Sequence, residues 1–285
     1  MKYSSAPAFR QALEDRLRSE NSPQKLPRLR KMIAFERFMV RLDDRWILKG
    51  GYALQLRTEK ARTTQDVDLL AREIVEDQIA EELLEALHQD AEDYFEFFVE
   101  RSDLNLDAGS AIRFRVTSRV AGRVFERFHI DIGYGDPIVE AVDYLTPPNY
   151  LAFAEVASPA IPCYPISQHI AEKLHALVRL RSTENSRVKD FVDILLFASM
   201  DTNLQSDHLS SAIQAVFETR GDVIPSQLDQ IPASWESRYR RFAKDLELPF
   251  TDFDEAIQAT QEFLSPVLQG LDNGVWNPEE WEWQS

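Results

Sequence analysis

The chain has 285 residues, 44% of them hydrophobic and 28% charged, with a formal net charge of −16; this balance supplies a buried core and excludes an intrinsically disordered polymer. A single cysteine, Cys163 beside Pro162, excludes an internal disulfide and a thiolate metal cluster, so any metal must be held by carboxylate or imidazole. No stretch approaches the roughly 18 uninterrupted apolar residues of a membrane span and residues 1–10 lack a secretory apolar run, so the expectation is a cytoplasmic protein without a membrane partner. An acidic surface repels phosphate at long range, so a nucleic-acid partner requires positive charge gathered locally.

Residues 1–45 are expected to form helices that pack on the core. Phe9, Leu13 and Leu17 recur at helix spacing, and a second run over 26–42 sets Leu29, Ile33, Phe38 and Val40 among Arg28, Arg30, Lys31, Arg37 and Arg41. Trp46, Ile47 and Leu48 make a short apolar strand, punctuated by Gly50 and Gly51 before a short helix over 52–57. Residues 66–70 alternate with period two, 77–90 return to helix, and strands are expected over 94–100, 111–119 and 123–133. The stretch 135–165 carries six prolines and reads as loop, with a domain boundary near its end. Sheet domain 46–165 is thereby divided from helical domain 166–285, whose helices are expected at 166–181, 188–199, 208–219, 234–246 and 253–264, the last stopping before Pro266. The acidic, tryptophan-rich tail over 276–283 reads as a frayed end. Strands first and helices later give an α+β fold with a mixed or antiparallel sheet.

Asp66 and Asp68 stand two apart on a strand and so project to one face while Val67 and Leu69 turn to the other. Such a pair suits a hard divalent ion that completes its shell with water and phosphate. Asp252 and Asp254 share the spacing but open a helix, where acidic residues answer the helix dipole and need no metal. Context separates the two pairs. Lys49-Gly50-Gly51 lies at a strand-to-helix turn, where phosphate can approach the backbone. Further on, Phe128, Ile130 and Ile132 alternate with His129 and Asp131, which offers a third carboxylate.

These residues resemble the nucleotidyltransferase-like toxins of the AbiEii/AbiGii group, within the DNA-polymerase-beta-like nucleotidyltransferase superfamily. The resemblance runs through Leu48-Lys49-Gly50-Gly51-Tyr52-Ala53-Leu54 and Arg62-Thr63-Thr64-Gln65-Asp66-Val67-Asp68-Leu69. It continues through Ile170-Ala171-Glu172-Lys173-Leu174-His175-Ala176-Leu177 and Arg187-Val188-Lys189-Asp190-Phe191-Val192-Asp193. It implies a sheet domain bearing the metal carboxylates, a helical C-terminal half closing a nucleotide cleft, and transfer of NMP from an NTP to an RNA acceptor, the acceptor end of tRNA. It implies Mg²⁺ or Mn²⁺ as cofactor and a place as toxin in a toxin–antitoxin or abortive-infection system, under a cognate antitoxin. Residue by residue, Gly50 and Gly51, with Lys49 before them, would cradle phosphate, Thr64 would offer a hydroxyl near it, Asp66 and Asp68 would bind metal, Lys173 would contact the triphosphate and Asp190 would complete the cleft; Asp131, read from the strand alternation, is the third metal carboxylate. Tyr52 departs from the Ser or Thr of many relatives, and Lys189 from their Arg.

The segment 111–133 reads as a hairpin whose even-numbered residues are mainly apolar in both arms. Burying them together calls for a three-residue loop, Val120-Ala121-Gly122. The odd residues then share the other face, where Arg113, Arg115, Arg119, Arg123 and Arg127 lead to His129 and Asp131, with Thr117 and Phe125 between. This ladder is the expected RNA track, and Lys25, Arg28, Arg30 and Lys31 extend it. A metal-dependent nuclease or phosphoesterase would use the same carboxylates, and a non-catalytic nucleotide-binding module would need none of them. The glycine pair and Lys173 favour a triphosphate that leaves pyrophosphate.

Overall fold

Wherever the sequence alternates in period two between Trp46 and Tyr134, the chain forms strands of a single mixed sheet. The computed structural model describes residues 1–20, 25–58, 60–102, 111–179, 187–228 and 231–284. They divide into two units. The first takes Met1–Glu59, Thr63–Gly135 and Asp143–Cys163; the second takes Lys60–Arg62, Asp136–Val142 and Tyr164–Ser285. The result is an α+β fold.

The first unit begins with α1 (Ala6–Glu20) and α2 (Leu26–Met39). There follow β1 (Trp46–Lys49), α3 (Gly50–Arg57), β2 (Asp66–Ala71), α4 (Ile79–Leu87), β3 (Phe95–Arg101), β4 (Ala111–Val120), β5 (Arg123–Tyr134), β6 (Asp143–Leu145) and β7 (Ile161–Cys163). The sheet order is β3-β4-β5-β2-β1-β7-β6. β2–β5 and β1–β7 are parallel and the other pairs antiparallel. One face meets α2, where Phe35 and Phe38 set their rings against Phe128 at 4.9 and 5.7 Å.

α2 departs from a simple amphipathic helix. Arg37 and Arg41, which stand among its apolar residues, are buried. Arg41 clamps Asp93 with two hydrogen bonds of 2.7 and 3.0 Å and also donates to the Phe95 carbonyl. A buried guanidinium is tolerated only with its donors taken up in this way. Burial raises the Glu36 carboxyl above the usual range, against the opposing pull of Arg37 and the Ser158 hydroxyl. Arg30, expected in the basic track, instead lies 4.3 Å over the Phe125 ring and pairs with Glu14 at 2.6 Å.

The β4–β5 hairpin corrects the expected loop. Its turn is the two-residue Ala121-Gly122, both at positive φ (51° and 70°), the conformation of a type I′ turn. Such a turn sets Val120 opposite Arg123, residues of unlike parity, and so would bury the wrong face of one arm. A bulge repairs this. Ser118 faces Glu126 while Arg119 faces Val124, which leaves Phe125 as the extra residue. Phe125 turns into the core against Phe95 at 5.3 Å, and Arg123 passes to the Val120 face. The odd-numbered ladder therefore keeps Arg113, Arg115, Arg119 and Arg127 and loses Arg123.

The proline-rich stretch expected to be loop contains β6 and β7. Three-residue strands carry no readable period, and β7 has a proline at its centre; here the pairing of Cys163 with Leu48, and of β6 with β7, decides. Cys163 is buried, which pushes its thiol up to about 12.

The second unit holds α5 (Ile166–Val178), α6 (Val188–Ala198), α7 (Ser206–Arg220), α8 (Glu236–Asp245), α9 (Phe253–Leu268), β8 (Val275–Asn277) and β9 (Glu282–Gln284). The expected end of the first of these helices, Arg181, lies outside the described residues. Asp252 caps α9, accepting from the N–H groups of Asp254 and Glu255, so this Asp-x-Asp is a helix start. α9 runs through Pro266, whose missing N–H falls in the last turn and forfeits one bond while Leu264 and Val267 stay buried. The tail is not frayed. β8 and β9 form a hairpin, and the indole N–H groups of Trp276, Trp281 and Trp283 donate to the carbonyls of Ala198, Ala259 and Phe263 at 2.6, 2.9 and 2.8 Å. Trp276→Ala is expected to lower stability by about 3–5 kcal/mol, read from urea unfolding. Among the described residues, no helix is long and apolar enough to cross a membrane.

Candidate active site

Register assembles a charged face on the first unit. β2 places Val67 and Leu69 in the core and Asp66 and Asp68 on the opposite side. Parallel pairing with β5 sets Asp68 beside Asp131 and Asp66 beside His129. Antiparallel pairing with β1 sets Lys49 on the other side of Asp68, and β4 sets Arg113 beside Asp131. One row thus reads Lys49, Asp68, Asp131, Arg113 across four strands, with two carboxylates between two cations. The next reads Asp66, His129, Arg115, Glu100, and His129 Nδ1 lies 3.4 Å from Asp66 Oδ1.

Two features distinguish this face from an ordinary solvated sheet. Gly50, at φ +65°, lies so close to Asp68 that a Cβ there would come within 2.0 Å of Oδ2. The backbone at the α3 start is thus pressed onto a carboxylate, an approach that only glycine permits. Asp131 is also held in a fork: Arg113 Nε and Nη2 donate to its two oxygens at 2.7 and 2.6 Å. Hydrogen bonding to Asp131 raises the Arg113 pKa despite partial burial, with Asp131, Asp66 and Asp68 adding their charge.

Among the described residues, no group of three or more His, Cys, Asp or Glu is gathered to hold an ion. Arg113 takes up both oxygens of Asp131. Asp66 and Asp68 remain a pair of hard oxygen donors, which fits a Mg²⁺-like ion that binds one or two carboxylates and draws its other ligands from water and phosphate. Thr64 is buried and its hydroxyl donates to the Asp66 carbonyl at 3.1 Å, fixing the entry to β2. Tyr52 is buried with its ring edge-on to Phe35 at 5.2 Å, so it offers no phosphate contact in place of the relatives' hydroxyl.

The other motif residues form a cluster in the second unit. Lys173, only 8% exposed, donates to Asp193 at 2.6 Å and to Asp190 at 3.4 Å. Arg62 forks onto Asp193 at 3.0 and 3.2 Å, and Arg187 donates to Asp190 at 3.0 Å. Three cations thus surround two carboxylates. Burial disfavours the charged forms of both Lys173 and Asp193. Mutual attraction prevails, raising the lysine and, with Arg62, lowering the aspartate.

The family model for the nucleotidyl transferase AbiEii toxin of type IV toxin–antitoxin systems matches residues 35–259. The chain belongs to the AbiEii nucleotidyl transferase toxin family. The solved structure of MenT4, a nucleotidyltransferase toxin from Mycobacterium tuberculosis H37Rv, is similar in fold at a TM-score of 0.50 and 18% identity, covering 95% of this chain and 100% of that one. JHP933 from Helicobacter pylori aligns at a TM-score of 0.44 and 16% identity, over 85% of this chain and 94% of its own. No curated protein matches significantly. Membership in the AbiEii family makes the chain a nucleotidyl transferase toxin and implies an NTP substrate and an antitoxin partner.

Within this AbiEii chain, the sequence pairs Asp193 with Asp190 one helical turn away but assigns no role to Arg62 and Arg187, which the structure adds to the cluster. Their signal was present, since both stand in the motifs that carry the resemblance. Gly50→Ala is expected to displace Asp68 and lower nucleotide transfer by about a hundredfold, the scale of a 1 Å misplacement at a reacting centre. The positive φ should cost about 1–3 kcal/mol in stability. A transfer assay beside thermal unfolding checks both.

Proposed function

We propose that the protein transfers NMP from an NTP to an RNA acceptor, with Asp66 and Asp68 as ligands of Mg²⁺ or Mn²⁺. The observation that carries this reading is the register that brings both carboxylates, Asp131 and the arginine ladder onto one face. When bound, a divalent ion would supply charge stabilisation at the phosphates. Lys49 and the Gly50–Gly51 backbone present donors beside those carboxylates, and Thr64 holds the strand that bears them. An acceptor hydroxyl attacks the α-phosphorus and gives up its proton to solvent, the bond to the bridging oxygen breaks, and pyrophosphate leaves. Asp131 serves as third carboxylate once Arg113 yields its fork, so Arg113 belongs to the site and not to the RNA track. Lys173 is the triphosphate contact that the family motifs imply, and Asp190 is the carboxylate that pairs with it.

The RNA track is Arg115, Arg119 and Arg127, a local basic strip on an acidic molecule. The acceptor end of tRNA is the first RNA to test, and the cognate antitoxin is the protein partner. The deciding experiment incubates the protein with each α-labelled NTP, Mg²⁺ or Mn²⁺, and total RNA. Label on RNA supports the reading; label on protein alone, or none, defeats it. Replacing Arg115, Arg119 and Arg127 with Gln should lower the salt slope of RNA binding by about 0.7–0.9 per lost contact and leave NTP binding unchanged. Filter binding across salt concentrations reads this, and an unaltered slope would return the arginines to solvation of the sheet.

A further inference from the structure

The charged face carries one side chain whose chemistry differs from its neighbours. Phe98 on β3 is 48% exposed, while Phe95 and Phe97 on the same strand pack inward against Phe125 and Phe38. Its register partner is Thr117, whose own partner on β5 is Arg127. The ring therefore sits in the row next to Asp66, His129, Arg115 and Glu100. Arg119 places its guanidinium carbon 4.6 Å from the ring centroid, and Arg119 Nε is buried without a hydrogen-bond partner. The ring, braced by Arg119 and open to solvent, has Glu96 and Glu100 as its same-face neighbours along β3 and Arg115, Arg119 and Arg127 on β4 and β5, so a π-face lies beside three phosphate-attracting cations set against two carboxylates.

We infer that Phe98, braced by Arg119, is a stacking platform for an unpaired base of single-stranded RNA. The inference rests on the transferase reading above and names the form in which the acceptor arrives. Charge complementarity selects a polyanion, and the ring selects one whose bases are splayed out and free to stack. Hydrogen-bond readout of a base is not required, since every base has a π-face. β3 and β2 are three strand spacings apart, which puts Phe98 on the order of 15 Å from the carboxylates. A base held at Phe98 thus lies a few nucleotides from a chain end held at Asp66 and Asp68. The acceptor would need a single-stranded end at least that long.

The test uses the full chain without NTP or metal, titrated with a labelled single-stranded oligoribonucleotide of about ten residues and with versions made abasic at one position at a time. One abasic position should weaken binding to the parent protein about 5- to 150-fold, the range for one base–aromatic stack. Phe98→Ala should show the same loss on the intact strand, gain no further loss from that abasic position, and keep the parent's salt slope. Phe98→Tyr should restore affinity. Circular dichroism controls for folding. Unchanged affinity in Phe98→Ala overturns the platform, as do losses that multiply when variant and abasic strand are combined, or a parent that binds no single strand. Transfer assays separate the two claims. RNA that binds with a Phe98-dependent stack but never receives label defeats the transferase reading alone, whereas normal transfer with a neutral Phe98→Ala defeats the platform alone.

Discussion

Asp68→Ala, and likewise Asp66→Ala, should reduce nucleotide transfer by about a thousandfold or more, ~4 kcal/mol of transition-state stabilisation, while leaving the melting transition almost unmoved. The separation of the two effects follows from the sheet. Val67 and Leu69 keep the core contacts of β2, whereas the two carboxylates face away from the core. Asp68 also stands beside Asp131 in the parallel pair, so removing one negative charge relieves a like-charge contact. A slight gain in melting temperature is therefore as consistent as none. Label transfer from α-labelled NTP, measured beside thermal unfolding, reads both quantities. Transfer near the parent's rate in either variant would remove these residues from the metal site.

Asp193→Asn should destabilise the second unit by about 3–5 kcal/mol, because it leaves Lys173 and Arg62 facing a neutral amide in a buried setting. The effect has a defined pH signature. The carboxyl of Asp193 lies below its ordinary 3.8 in the folded protein, so its contribution is present above that value and is lost as pH falls through the lowered one. Lys173 lies above its ordinary 10.5, so its contribution is complete below 10.5 and is lost as pH rises through the raised value. The gap between parent and variant should hold steady from about pH 5 to 9 and close in acid. Urea unfolding at a series of pH values measures it. A gap under about 1 kcal/mol at neutral pH would mean that the cluster is solvated, as exposed pairs are.

The alternation around Asp66 and Asp68 was legible in the sequence because a strand has only two faces, and the Asp252 cap because it precedes a helical run. The hairpin was legible in its faces but not in its register. A three-residue loop would have set Asp131 opposite Ala111. The tight turn and the Phe125 bulge move the partner to Arg113, and this one shift converts an expected RNA contact into the fork on the third carboxylate. No local signal announces that bulge, since Phe125 is buried by Phe95 and Arg30, both distant in sequence. The burial of Arg37 and Arg41 has no local signal either, as Asp93 lies far along the chain. The tryptophans of the tail looked unplaced because their partners are backbone carbonyls on α6 and α9, which composition does not reveal.

The pairing of β1 with β7 sets a clock on the birth of this toxin. Leu48 meets Cys163 about 115 residues after it is made, and at roughly 5–20 residues per second a ribosome needs on the order of ten seconds to cover that distance. Throughout that interval β1 has an unfilled edge, the kind that recruits stray strands. The parallel partner of β2 likewise arrives only with β5, so the carboxylates leave the ribosome before the neighbours that align them. Nonlocal pairings of this kind fold slowly. A newly synthesised copy thus lacks the completed sheet for its first seconds, and the face that bears Asp66 and Asp68 is aligned only when β5 has followed β2.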